Sequence, residues 1–257
     1  MYSFFHGKLY SVITELTIFA QNHRKMSKIV MFGNQKGGVG KTQISIMAAT
    51  ALSQKPFNLK VAVIDLDNQK SVIRSRNYDL RAYKITSAPF DVFDYELNDL
   101  QASITAIDKV YDIIIIDVAG KLDNKQSIEI QEITKTLMYV DILFIPFVAG
   151  NFNLESTLDY FKFIKSVQLQ RALQPRPLNV YGFINMNRAR SRASTYLSED
   201  LQTLQTSERL TIMQAVLNDY ALFRESDTIT SLYGINLNDS AKANFSTWLN
   251  ELISVIQ

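Results

Sequence analysis

Short apolar runs alternate along the chain with longer stretches in which apolar positions recur at helical spacing. The runs predict strands over residues 28–32, 61–65, 113–117, 143–148 and 180–185. Because these runs are apolar nearly throughout, we expect the strands to be buried on both faces. Residues 43–54 and 154–168 lie between runs and predict helices. The alternation is typical of βαβ crossovers and predicts one α/β domain, with a mostly parallel sheet flanked by helices on both faces.

Amphipathic segments lie near both ends of the chain. Apolar residues at helical spacing predict a helix over residues 3–21. We therefore divide the chain into an N-terminal helical extension, residues 1–26, and one domain, residues 27–257. The basic residues Lys8, Arg24 and Lys25 flank that helix, and Met26 is placed where a shorter chain could begin, so a membrane anchor and a dispensable extension both stay open. The C-terminal stripe has few cations nearby, so we expect it to pack onto the core through Phe245, Trp248, Leu249, Leu252, Ile253 and Ile256.

Composition narrows the possible chemistry. The 257 residues are 47% hydrophobic and 20% charged, which is typical of a globular protein. The absence of cysteine excludes disulfides, thiolate metal sites and a cysteine nucleophile, and the 2 histidines disfavour a histidine-based centre. No apolar run approaches the ~20 residues of a membrane span, so we expect a cytoplasmic protein.

The clearest motif is the segment from Gly33 to Thr42, GNQKGGVGKT, between a predicted strand and a predicted helix. Glycines at this place let backbone N–H groups surround a phosphate, and the helix N-terminus adds positive potential. Lys41 can neutralise phosphate oxygens, and the Thr42 hydroxyl can bind Mg²⁺. Gln35 stands where the strict phosphate-loop pattern has its first glycine.

A second lysine, Lys36, makes this loop K-G-G-x-G-K-T, which resembles the deviant-Walker P-loop ATPases of the ParA/MinD superfamily, and ParA-type partition proteins most closely. The resemblance extends from residue 27 to about 255 and implies a single-domain P-loop NTPase with ATP/ADP and Mg²⁺ as cofactors. It implies that Lys36 and Lys41 are both catalytic, and that Lys36 acts by reaching the partner's nucleotide across a dimer interface. The nucleotide-binding residues implied in the loop are Lys36, Gly37, Gly38, Val39, Gly40, Lys41, Thr42 and Gln43.

Two aspartates end the predicted strand 61–65. Alternation places Asp65 and Asp67 on one face, at the strand end where α/β proteins bind ligands. The family has D-x-D-P-Q here, whereas this chain has Asn68 for proline and Lys70 for a small residue. The resemblance implies that Asp67 orients the attacking water and that Asp65 serves Mg²⁺ indirectly. Alternatively, both carboxylates cap the turn.

Asp117 ends the buried run 113–117 and is expected to hold Mg²⁺ together with Thr42. The family usually continues with T-P-P, but this chain continues with Val118-Ala119-Gly120, where the Gly120 N–H can reach a γ-phosphate. Further along, Asn185 resembles the asparagine that reads adenine, since its amide both donates and accepts. The alternative is that Asn185 caps a loop.

Basic residues concentrate in one part of the chain. Residues 160–198 contain no acid and seven cations, namely Lys162, Lys165, Arg171, Arg176, Arg188, Arg190 and Arg192. Such a stretch can neutralise nucleic-acid phosphates, or its members can lie on separate solvated faces. The last three of these arginines can instead contact nucleotide or a partner subunit. Residues 201–257 are acidic on balance and make a poor DNA surface.

The leading hypothesis is a Mg²⁺-dependent ATPase that switches a homodimer on and off non-specific DNA to partition a plasmid, chromosome region or mobile element. The resemblance implies a ParB-like stimulating partner, association with the nucleoid and no membrane contact. Two alternatives stay open, a MinD-like membrane positioning ATPase and a weakly hydrolysing nucleotide sensor. Lys36 argues against a metabolic ligase of the dethiobiotin synthetase type, and the lack of cysteine excludes nitrogenase-type iron proteins.

Overall fold

A computed structural model describes residues 26–118, 127–150, 154–188, 191–234 and 239–257. The strands are β1 Lys28–Phe32, β2 Val61–Asp65, β3 Asp91–Phe93, β4 Ile113–Asp117, β5 Ile142–Val148, β6 Asn179–Asn185 and β7 Thr211–Ile212. The helices are α1 Lys41–Leu52, α2 Ser71–Tyr83, α3 Leu100–Ile107, α4 Ser127–Leu137, α5 Leu154–Arg171, α6 Arg192–Glu208, α7 Ala221–Arg224 and α8 Ser240–Ile256. The predicted helix over 3–21 lies outside the described residues.

The strands form one sheet in the order β3-β2-β4-β1-β5-β6-β7, and every pair is parallel. The predicted fold class is confirmed. Successive residues of a strand point to opposite faces, so the two sides of β1 enter different layers of the core. Val30 and Phe32 pack on the side of α1 and α8, whereas Ile29 and Met31 pack on the side of α3, α5 and α6. Burial on both faces explains the continuous apolar runs.

The C-terminal helix α8 closes one face of the sheet. All six residues of its predicted stripe are buried, at 9% exposure or less. The Trp248 ring lies against Phe32, Phe183 and Phe245, with ring centroids 6.3, 5.4 and 5.9 Å away. The expectation that this stripe packs onto the core is confirmed. Among the described residues, no helix is both long and apolar enough to cross a membrane.

Two arginines of the predicted basic stretch lie where the amino ends of the strands meet, opposite the end of the sheet that carries the glycine-rich loop. Arg171 is 1% exposed, and its guanidinium donates to the carbonyls of Leu137 and Val140. Arg176 donates to Asp141 over 2.7 Å and also contacts Asp108. The seven cations therefore do not form a single patch, because these two hold the ends of strands together.

We expect replacement of Arg176 by methionine to lower the free energy of unfolding by about 3 kcal/mol, because it leaves the carboxylates of Asp108 and Asp141 without their cation. The side chains of both aspartates are 10% exposed or less, so water cannot replace the arginine fully. Urea unfolding followed by Trp248 fluorescence measures the change.

Lys162→Met is the control for this prediction, because the pair between Lys162 and Asp159 is exposed on both sides. We expect that variant to change the unfolding free energy by less than about 1 kcal/mol. Equal effects of the two substitutions would contradict a structural role for Arg176.

Candidate functional site

The segment between β1 and α1 folds as a loop that is tied to the neighbouring strand β5. The Gly33 N–H donates to the Phe144 carbonyl over 3.0 Å, and the Asn34 amide donates to the Pro146 carbonyl over 2.8 Å. Gly38 and Gly40 have φ angles of 74° and 85°, which side chains rarely tolerate. The loop then passes directly into α1, so its backbone N–H groups and the helix N-terminus share one concave surface.

Gly40 also lies too close to its neighbours to carry a side chain. A Cβ atom there would lie 2.8 Å from Asn185 Nδ2 and 2.9 Å from Met186 Cε. Gly40 is therefore required both by its φ angle and by close packing against the end of β6.

Lys41 crosses the loop from the first turn of α1. Its side chain is buried, and Nζ donates to the Lys36 carbonyl over 3.1 Å. Burial lowers the pKa of Lys41, while the charges of Asp117 and Asp67 act in the opposite direction. The sequence-predicted residues Lys36, Lys41, Asp67 and Asp117 are thus brought to one end of the sheet. A buried ammonium within a glycine loop fits a phosphate group.

Asp117 is fully buried at the end of β4 and is held by hydroxyl groups of α1. Thr42 Oγ1 donates to one carboxylate oxygen over 2.8 Å, and Ser45 Oγ donates to the other over 3.1 Å. Burial raises the pKa of Asp117 to about 7, and the charge of Asp65 adds to the rise, although the hydroxyl groups oppose it. The predicted pairing of Thr42 with Asp117 is present.

Ser45 was not predicted from the sequence, although its spacing from Thr42 on one helix face is a usable signal. Within the described ranges, no group of three or more histidine, cysteine or acidic side chains is placed to hold a metal. One carboxylate and one hydroxyl nevertheless fit Mg²⁺, which keeps several waters and takes phosphate oxygens as further ligands.

Asp65 caps the first turn of α2 with its side chain. Its fully buried carboxylate accepts from the backbone N–H groups of Asp67, Val72 and Ile73 over 3.2, 2.9 and 3.2 Å. Burial raises the pKa of Asp65, although these hydrogen bonds oppose the rise. The contacts favour the capping alternative for Asp65, and its indirect service to Mg²⁺ stays a prediction.

Asp67 lies in the turn that follows β2 and is half-buried. Its Oδ1 accepts from the Gln69 N–H over 2.9 Å, and its carbonyl accepts from the Lys70 N–H over 2.7 Å. The turn follows the carboxyl end of β2, which pairs with β4 at Asp65 and Asp117, so Asp67 lies at the end of the sheet that carries the phosphate loop. Gly120, the remaining predicted phosphate contact, lies outside the described residues.

Asn185 ends β6 and is buried, and its Nδ2 donates to the Val39 carbonyl over 2.9 Å. The side chain that was predicted to read adenine therefore supports the phosphate loop with its donor group. A cavity beside it is lined by Gln43, Met47, Met186, Tyr220 and Phe223, among others. Its volume is about 30 Å³, far below the ~300 Å³ of a small ligand pocket, so the observed role of Asn185 is to support the loop.

An ionic cluster that sequence reasoning missed borders the same cavity. Asp219 accepts from Arg188 Nε over 2.8 Å and also pairs with Arg224. The hydrogen bonds from Arg224 and Arg188 lower the pKa of Asp219. The three side chains line an adjoining cleft of about 430 Å³. Arg188 had been named as a candidate nucleotide contact, but no local signal pointed to Asp219 or Arg224.

The remaining cations of the basic stretch are spread over several surfaces. Lys162 pairs with Asp159, and Lys165 pairs with Glu208. Arg192 is exposed at the first turn of α6, and Arg190 lies outside the described residues. The alternative in which these residues occupy separate faces is thus closer to the structure.

The buried Asp117 carboxylate should make the nucleotide-free protein less stable as the pH rises. Its pKa is about 7 when folded, against an ordinary value of 3.8, so the folded state binds an extra proton between these limits. The contribution of Asp117 to the free energy of unfolding is therefore fully present near pH 4 and falls by up to about 1.4 kcal/mol per pH unit towards pH 7. Asp117→Asn removes this slope, and urea unfolding of both proteins at several pH values measures the difference. Parallel pH profiles would contradict the burial argument.

The comparisons with known proteins agree with this geometry. Residues 30–229 match the family model described as the CobQ/CobB/MinD/ParA nucleotide binding domain. No curated protein matches the chain. A plasmid partition protein from Borrelia burgdorferi B31, bound to AMPPNP, is 20% identical, with a TM-score of 0.63 over 90% of this chain and 100% of that one.

Two further solved structures share the fold. McdA from Cyanothece in complex with ATP is 16% identical, with a TM-score of 0.60 over 89% of this chain and 97% of that one. Cobyrinic acid a,c-diamide synthase from Mycobacterium smegmatis, with an ATP analogue and magnesium, is 14% identical, with a TM-score of 0.58 over 88% and 94%. At these identities the likeness shows the fold alone. With most of its length matched by the family model, the chain belongs to the CobQ/CobB/MinD/ParA family of nucleotide-binding domains.

Proposed function

We propose that the protein is a Mg²⁺-dependent ATPase of the ParA type that acts as a nucleotide-switched dimer. The observation that carries this proposal is the contact between Thr42 Oγ1 and Asp117 at the mouth of a glycine loop that contains a buried Lys41. These groups fit the two parts of a magnesium nucleotide, the metal and the phosphates. Structures with the same fold are described as bound to AMPPNP, to ATP, and to an ATP analogue with magnesium.

Each residue has a separate task in hydrolysis. Lys41 and the loop N–H groups bind and neutralise the phosphates, while Thr42 and Asp117 hold Mg²⁺. Asp67 orients the attacking water, which is supported by its place just after β2, beside the end of β4 that carries Asp117. Asn185 braces the loop through Val39, so that the donors keep their geometry while charge develops.

Lys36 distinguishes this proposal from a simple nucleotide-binding protein. Its backbone carbonyl accepts from Lys41 Nζ, so the residue lies at the phosphate end of the loop. A second cation near the γ-phosphate offsets transition-state charge, as an arginine finger does. We assign Lys36 to the nucleotide of the partner subunit, so that turnover requires the dimer.

The dimer's output is proposed to be ATP-dependent, non-specific DNA binding in plasmid or chromosome partition, with hydrolysis stimulated by a ParB-like partner. One structure with this fold is described as a plasmid partition protein. In this chain, Arg188 and Arg192 lie beside the carboxyl end of β6, on the edge of the sheet that carries the loop. Cations at that edge support a link between nucleotide state and DNA affinity.

Lys36→Ala should leave ATP affinity within about threefold of the wild type but reduce ATP turnover by at least ~10³-fold, because it removes a transition-state cation. It should also abolish ATP-dependent dimerisation, measured by light scattering. The matched control is Lys41→Ala in the same loop, which should lose ATP binding itself. Normal turnover by Lys36→Ala would overturn the role of this lysine across the dimer.

DNA binding should require ATP or a non-hydrolysable analogue and should weaken as salt rises. Replacing Arg188 and Arg192 together by alanine should reduce the slope of log affinity against log salt by about two. Fluorescence anisotropy with duplex DNA, without nucleotide and with ADP, ATP or the analogue, measures both effects. Arg209→Ala, at the other end of α6 and also exposed, should bind like the wild type. Absence of binding in every nucleotide state would contradict the DNA proposal while leaving the ATPase proposal intact.

A further inference from the structure

Lys70 connects three segments around the turn that carries Asp67. It precedes α2 in a left-handed conformation, with φ 49° and ψ 48°. Its Nζ lies 2.5 Å from Asp94 Oδ1 and 3.2 Å from the Asp65 carbonyl. One side chain therefore joins the end of β2 to the segment that follows β3.

The tip of the turn is exposed, although the Asp65 carboxylate holds its base. Asn68 and Gln69 are exposed, so packing contributes little to holding their backbone. Within the turn, Gln69 and Lys70 donate to Asp67, and the Asp67 N–H donates to the Asp65 carboxylate, which also accepts from the start of α2. Hydrogen bonds at an exposed turn tip open easily unless a contact from outside the turn restrains it.

Lys70 is suited to provide that contact. Its side chain is 27% exposed, against 58% for Asp94, so the ammonium end of the pair is the better shielded. Burial lowers the pKa of Lys70, but the hydrogen bond and charge of Asp94 outweigh it and raise the pKa above its ordinary value. Lys70 is thus charged at neutral pH, and its ammonium bridges a carboxylate and a backbone carbonyl.

We propose that Lys70, held by Asp94, is a positioning residue that fixes the 65–70 turn and with it the position of the Asp67 carboxylate. The catalytic part of this inference rests on the proposed function, in which Asp67 orients the attacking water. A misplacement of about 1 Å can cost ~10²-fold in rate, so a restraint on this turn affects turnover without contacting nucleotide.

Hydrogen–deuterium exchange tests the restraint without any need for turnover. In Lys70→Met, the amides of residues 66–70 should exchange at least about tenfold faster, while the rest of the chain is unchanged. Lys84→Met is the matched control, because Lys84 ends the same helix, is exposed and is also left-handed, with φ 54°. Unchanged exchange in Lys70→Met, or equal acceleration in Lys84→Met, would overturn the proposal.

Kinetics separates positioning from ordinary stability. Lys70→Met should lower the turnover number by about tenfold or more, while the dissociation constant for a fluorescent ATP analogue stays within about twofold. Lys70→Arg keeps the charge and should retain most of the activity. Asp94→Asn should cause a smaller loss, and the double variant Lys70→Met/Asp94→Asn should be no worse than Lys70→Met alone.

Parallel losses of nucleotide affinity, turnover and unfolding midpoint in Lys70→Met would mean a merely structural role and would overturn the proposal. A wild-type protein without turnover would contradict the proposed ATPase instead, and the exchange measurement would still decide whether Lys70 restrains the turn.

Discussion

A buried carboxylate at the end of the interior strand β4 needs hydrogen-bond donors, and the first two turns of α1 supply them. Without Thr42 and Ser45, the fully buried Asp117 would pay the full desolvation cost of its charge. These two contacts fix α1 against β4, which in turn fixes the end of the loop that leads from β1. The position of Lys41 follows from that geometry, because it is the first residue of the same helix. The site thus depends on one interaction that also joins the sheet to its covering helix.

The hydrophobic pattern predicted the central strands closely, because each is buried on both faces. The bounds of β1, β2 and β4 agree with the sequence prediction, and β5 and β6 each begin one residue earlier. The edge strands β3 and β7 were not predicted. They have 3 and 2 residues and include exposed positions, so neither length nor apolar character marks them. Strand order depends on contacts between distant residues and has no local signal.

The residues of the candidate site likewise divide into those that local spacing predicts and those that depend on contacts between distant segments. The placement of Lys36, Lys41, Thr42 and Asp117 at one end of the sheet could be predicted, because it depends on spacing around strand–loop–helix units, while their roles stay predictions. The use of Asn185 as a brace for Val39, and the pairing of Asp219 with two arginines, depend on segments far apart in sequence. Lys70 is intermediate. The sequence marks it as a departure from the family pattern beside Asn68, but only the fold shows that Asp94 is its partner.

Charge is the property that the sequence predicted least well, since cations that are adjacent along the chain separate in space. Arg171 and Arg176 stabilise the end of the sheet where the strands begin, whereas Arg188 and Arg192 lie at the end where the strands finish, beside the candidate site. No single face therefore collects all the cations of the 160–198 stretch for a DNA duplex. Phosphate contacts contribute to affinity multiplicatively, and two linked protomers double their number. Under the proposed function, a sparse charge distribution of this kind would bind DNA weakly in a monomer and more strongly in a dimer, which would couple DNA affinity to nucleotide-driven dimerisation.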